Sequence, residues 1–135
     1  MRKFLAIVLG ALLVAAAARA ENQKIIQQED IVELAGHICV EKHYGSPGYG
    51  KTPQKDEVVR VPMLILDAPV DVLASMRVKG SHAFANVKKV QIIGMRKLII
   101  SMNGQPIALT GTLSEKSIPE DYTDILIKAD SLVPR

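Results

Sequence analysis

The chain has 135 residues, a single cysteine, and 17 Lys and Arg against 14 Asp and Glu. Arg2, Lys3 and Arg19 carry the whole basic excess, so the remainder is formally neutral, which removes the bulk electrostatic reason to expect nucleic acid or an anionic surface as a partner. Beyond residue 20 about 115 residues are left, enough for one domain with one modest core; a lone Cys39 excludes an intramolecular disulfide, so packing alone must hold that core, with Cys39 expected in it as a small hydrophobe.

Arg2 and Lys3 lead into an apolar run from Phe4 to Ala18 that closes on Ala18-Arg19-Ala20. Basic, apolar and small residues in that order predict a secretory signal peptide over 1–20, cleaved before Glu21. The apolar run is about fifteen residues against the roughly 20 of a membrane span, so a periplasmic protein without a stable membrane anchor is expected. Residues 21–30 are polar and Gln-rich and read as a flexible leader to a domain over 31–131. Leu132-Val133-Pro134-Arg135 matches what a thrombin site leaves after cutting, and is set outside the domain as native tail or remnant.

From Ile31 the pattern alternates. Val32, Leu34, Gly36, Ile38 and Val40 share one parity, with Glu33, His37, Glu41 and His43 on the other, as in a half-buried strand. Gly45 to Lys55 holds three Gly and two Pro without an aliphatic residue, a long loop suited to binding. A second strand runs over Val58 to Leu66; its nearly continuous apolar stretch Met63-Leu64-Ile65-Leu66 predicts a central position, and Asp67-Ala68-Pro69 breaks or bulges it. Ser75 to Ala85 reads as weakly structured, Val87 to Ile93 as a third strand, and the residues around Ile107 to Leu113 and Ile125 to Ala129 as the fourth and fifth. Met95 to Met102 is compatible with strand or helix. Asn103-Gly104 suits either a hairpin turn or a left-handed helix end, and topology favours a short helix.

Two segments echo each other: Val32-Glu33-Leu34-Ala35-Gly36-His37-Ile38 and Ile107-Ala108-Leu109-Thr110-Gly111-Thr112-Leu113 both place glycine on the inward parity. Such a glycine lets a strand coil sharply at a barrel corner. The expected fold class is therefore mainly β, a five-stranded OB-like Greek-key barrel with one short helix behind a signal peptide, with an open β-sandwich as the alternative.

On particular residues the chain resembles a small family of exported bacterial domains of unknown function with an OB-fold-like pattern. They are Leu34-Ala35-Gly36 with Glu41; Gly45-Ser46-Pro47-Gly48-Tyr49; Leu64 to Val70; Asn86 to Gln91; Thr110-Gly111-Thr112-Leu113; and Tyr122 to Leu126. The resemblance spans nearly all of residues 31–131 and implies a barrel fold and an envelope location, with no established activity to carry over. Members often have histidines just before the position of Thr123, where this chain has Glu120-Asp121-Tyr122, and a helical connector longer than Met95 to Met102. No role resting on those histidines transfers.

Side-chain constellations point away from chemistry. His37, Cys39, Glu41 and His43 share a strand face, but alternate residues lie about 6.6 Å apart, so one ion cannot gather them and no metal is expected. Ser46 is in no nucleophile elbow, Ser81-His82 has no sequence link to an acid, and Glu120, Asp121 and Asp124 fit no calcium loop, so neither an enzyme nor a cofactor is expected. Single-stranded nucleic acid needs a basic groove with stacking rings, whereas Lys88-Lys89 and Arg96-Lys97 read as solvated surface. The expectation is a non-catalytic binding module for a protein, peptide or envelope glycan, with Tyr44, Tyr49 and Tyr122 as ligand-binding candidates, because a tyrosine offers an apolar face with a polar tip. An exported inhibitor or immunity protein that neutralises an envelope toxin or hydrolase is the alternative.

Overall fold

A computed structural model describes residues 23–135; the expected signal peptide and its cleavage site lie outside the described residues. Six strands and one short helix follow in order: β1 (Lys24–Gln27), β2 (Ile31–Tyr44), β3 (Val58–Leu73), β4 (Phe84–Ile93), α1 (Arg96–Ser101), β5 (Pro106–Glu115) and β6 (Ile125–Pro134). Over the described residues the protein is mainly β with one short helix, as expected. No helix among the described residues is long and apolar enough to cross a membrane.

The six strands form one sheet in the order β1-β3-β2-β5-β6-β4, with a further pairing of β3 to β4. β2 is antiparallel to both β3 and β5, β3 to β4, and β5 to β6, whereas β4 and β6 run parallel. Traced through those pairings, β2, β3, β4, β6 and β5 form a circuit that returns to β2. Inside it Leu34, Ile38, Leu64, Val90, Ile107, Leu109, Leu113 and Ile127 are buried at 3 % exposure or less. From Val32 to Val40 the even-numbered positions of β2 face inward, as its alternation predicts, whereas Lys42 and Tyr44 beyond them are exposed.

Gly36 and Gly111 make this closure possible. A Cβ on Gly36 would stand 2.1 Å from the carbonyl oxygen of Ile65, and one on Gly111 2.2 Å from that of Lys128, so each partner strand folds over its glycine closer than any side chain permits. Gly36 is also where β2 passes between partners: it stands opposite Leu66 of β3 and opposite Ile107 of β5.

Several boundaries differ from the sequence reading. Within the expected flexible leader, Lys24–Gln27 is a strand: β1 pairs in parallel with Val70–Leu73 of β3, and Ile26 is buried at 3 % exposure. Only one apolar side chain enters the core there, too few to stand out against the glutamines. The described residues accordingly form a six-stranded sheet in place of the expected five strands. Asp67-Ala68-Pro69 bulges β3 without ending it, because register shifts on the β4 side absorb the extra residues while β1 takes over beyond. Leu132 to Pro134 is not a tail; it completes β6 against β5, Leu132 packs on the core, and the Arg135 guanidinium pairs with Asp67. Cys39 is half-buried, on the outer face of β2. The ambiguous segment is α1: Ile99 is fully buried and Met102 nearly so against the core, while Asn103 Oδ1 accepts a bond from the Val40 amide.

Candidate functional site

The loop over residues 45–57 joins β2 to β3, and its shape follows from one carboxylate. Asp56, 8 % exposed, accepts on Oδ1 from the Gly48 amide and the Thr52 hydroxyl, both at 2.7 Å, and on Oδ2 from the amides of Gly50 (2.7 Å) and Thr52 (3.2 Å). Burial opposes ionisation of Asp56, but the hydrogen bonds from Thr52, Gly50 and Gly48 outweigh it and hold its pKa below the ordinary value. Loop composition announces neither the hub nor its strength; an Asp just ahead of a strand behind three glycines is the one local cue.

A single amide organises the other loop, residues 116–124 between β5 and β6. Gln91 on β4 is 6 % exposed; its side chain donates to Glu120 O (3.1 Å) and accepts from the Tyr122 amide (2.6 Å), while its backbone amide donates to Thr123 Oγ1 (3.0 Å). Asp121 closes the turn by accepting from the amides of Ser117 and Ile118. Gln91 was not among the sequence candidates, since a glutamine alternating with the inward-facing Val90 and Ile92 on a strand reads as an outward polar position.

The two loops meet, and their meeting brings the three tyrosines together. Tyr122 Oη donates to Tyr44 O at 2.7 Å, and Tyr49 Oη donates to a Glu120 carboxylate oxygen at 2.7 Å. That bond raises the Tyr49 pKa and lowers that of Glu120. The Tyr122 ring lies 4.5 Å from the His43 ring at 31°. Tyr49 has φ of 50°, a left-handed conformation uncommon for an aromatic residue and held by the loop around it. Beneath Tyr122, His43 Nε2 lies 2.9 Å and Lys89 Nζ 3.1 Å from Glu41, whose burial opposes ionisation but whose bonds to both bring its pKa down.

Beside the tyrosines a cleft of 390 Å³ opens between β3 and β4. It exists because β4 leaves β3 after the Met63–Gln91 pair and joins β6. Pro62, which has no amide to donate, stands at the fork. Val61, Pro62 and Ile92 supply apolar wall, and Arg60, Arg96, Glu120 and Tyr122 supply polar groups. A larger cleft of 580 Å³ opens where the β3 bulge leaves β2, walled mainly by Leu34, Leu66, Ala68 and Val70. Gln23, Lys24, Glu33 and Asp67 also line it, but three of them are already engaged: Gln23 donates to Asp71 and Asn86, Lys24 to the Glu33 carbonyl, and Asp67 pairs with Arg135, whereas uncommitted polar groups on an apolar wall are what orient a ligand.

The remaining clusters fall elsewhere. His37 is exposed on the same outer face of β2 as Glu41 and His43, and no three metal-binding side chains converge among the described residues. Ser81 and His82 do find an acid: Glu115 accepts from Ser81 Oγ (3.5 Å) and from the His82 amide (2.7 Å), and His82 Nδ1 lies 2.9 Å away. Both contacts end on the carboxylate, and among the described residues no hydrogen bond joins the serine to the imidazole, so the nucleophile-to-base contact of a triad is not formed. Of the two lysine-containing pairs read as solvated surface, Lys89 is tied to Glu41 and Arg96 to the Arg60 carbonyl. No family model and no curated protein matches this sequence.

Proposed function

We propose that the protein is an exported, non-catalytic binding module of OB-like architecture whose ligand, a protein, peptide or envelope glycan, docks where loops 45–57 and 116–124 meet beside the β3–β4 cleft. The observation that carries this reading is that two loops about 70 residues apart in sequence are each held by a buried polar side chain, Asp56 or Gln91, and joined through Tyr44, Tyr49 and Tyr122. An OB-like barrel with β1 added accounts for the strand circuit and for the helix between β4 and β5, and OB-folds bind along the corresponding strands and loops. Fold analogy alone would not fix a function; the loop geometry adds to it, because loops ordered before binding spare the ligand the cost of ordering them. The same rigidity supports the second reading, an exported inhibitor or immunity protein.

Affinity capture from a periplasmic and cell-wall extract, with the exported chain immobilised, tests the proposal. A component retained by the wild type and lost from Tyr44→Ala/Tyr49→Ala supports it, and a stoichiometric toxin or hydrolase favours the inhibitor. Equal retention by both baits would remove the tyrosine surface from the account.

A further inference from the structure

We propose that Lys42, Arg60 and Arg96 form a binding site for an oxyanion of the phosphate type, carried by the ligand of the β3–β4 cleft; the inference rests on reading that cleft as the binding site. Lys42 of β2 and Arg60 of β3 are direct partners across the sheet. The Gly45 amide donates to Glu57 O at 2.6 Å, while the amides of Ile38 and Val40 turn away from β3 to Gln105 O and Asn103 Oδ1, so odd-numbered positions carry the bonds between β2 and β3. Counting back along the ladder, 42/60 is then a non-hydrogen-bonded pair, the kind in which side chains stand closer. Like charges so placed destabilise a sheet.

A third cation is added to this pair. Arg96, at the start of α1, donates from Nη2 to Arg60 O at 2.8 Å and keeps its other guanidinium donors. Among the described residues none of the three side chains has an acidic partner within ion-pair distance. Arg60 and Arg96 line the cleft. Of the two carboxylates that also line it, Glu120 is engaged by Tyr49, and Glu57 lies three residues along the chain from Arg60, about 10 Å in extended backbone. A local rule broken with no internal compensation is characteristic of functional sites. Two guanidinium forks and an ammonium suit a tetrahedral oxyanion, since forks bond phosphate in pairs of parallel hydrogen bonds. Val61, Pro62 and Ile92 would then receive an uncharged part of the ligand.

Amide NMR titration of the folded chain tests this with inorganic phosphate, α-glucose 1-phosphate, glucose, and vesicles of phosphatidylglycerol or phosphatidylcholine. Both soluble phosphates should shift amides of residues 41–43, 59–61 and 95–97 saturably, with affinity falling as salt rises, and glucose should not. Lys42→Gln and Arg60→Gln should each weaken binding about tenfold or more. Both side chains are exposed, so these variants should keep or raise the wild-type Tm, which separates lost binding from lost folding. Tighter binding of the sugar phosphate assigns the anion to a soluble glycan; binding of phosphatidylglycerol but not phosphatidylcholine vesicles assigns it to a lipid headgroup. Absence of saturable shifts, or unchanged shifts when Lys42→Gln and Arg60→Gln are combined in one chain, overturns the inference. If the phosphate probes fail while a captured partner still shifts Tyr44, Tyr49 and Tyr122, the oxyanion site falls and the cleft reading stands.

Discussion

Loops 45–57 and 74–83 leave opposite ends of β3, and both are polar, glycine-containing and free of regular structure, yet they are built differently. The first wraps four donors around Asp56 and locks onto the loop 116–124. The second is exposed throughout Met76 to Gly80; within it the amides of Arg77 and Val78 donate to Ser75 Oγ, that of Ser75 to Ser81 Oγ and that of Ser81 to Val78 O, and Arg77 pairs with Glu29. Its two ends are tied down where Ala74 O accepts from Gln27, His82 O accepts from the buried Gln28, and Glu115 holds Ser81 and His82. The difference teaches that the place where a desolvated polar side chain makes its bonds, not loop composition, decides how much of a surface segment is fixed before a ligand arrives: Asp56 gathers the middle of its loop, whereas Gln28 reaches only Ser81 and His82 at the end of the other.

The largest expected effect removes the comparison altogether. Gly36→Ala forces a methyl group into the Ile65 carbonyl oxygen and should cost about 3 kcal/mol, loosening both loops together; denaturant unfolding measures it. Gln91→Ala breaks one side only. It strips bonds from Glu120 O and from the Tyr122 amide, and should cost about 2 kcal/mol while amide exchange rises across 116–124 and not across 74–83.

pH sharpens the contrast further. Because the folded pKa of Asp56 lies below its ordinary 3.8, its contribution is fully present above that value and is lost as pH falls through the lower folded value. Protection of the Gly48, Gly50 and Thr52 amides should therefore persist through mildly acidic pH and fail only beneath the usual aspartate range; Asp56→Asn should lose it at neutral pH as well. The smallest effect belongs to the other loop. Four residues inserted between Val78 and Lys79 should change stability by about 0.6 kcal/mol or less, read as an almost unmoved midpoint.

What could be read in the sequence follows the range of the forces involved. Alternation along β2 and the glycine echo at Gly36 and Gly111 are local, and they foretell which face is buried and where strands coil. β1 stays hidden because a four-residue strand contributes only Ile26 to the core. The tyrosines are identifiable as residues but not as a cluster: Tyr44 and Tyr122 meet through a hydrogen bond across 78 positions, and only the strand circuit brings them within reach. Gln91 and Asp56 owe their importance to burial, which a polar residue does not advertise. Charge counting misleads in the same way, since a formally neutral domain still sets Lys42 against Arg60 once the register is formed.

Residue-resolved hydrogen exchange at neutral pH tests most directly the claim that the two loops form one surface ordered in advance. The account predicts that the amides of Gly48, Gly50, Thr52 and Tyr122 are protected, and that Gln91→Ala lowers protection at Tyr122 first. Exchange at those four positions as fast as at Lys79 and Gly80 would contradict it, and the cleft would then have no fixed frame for a ligand.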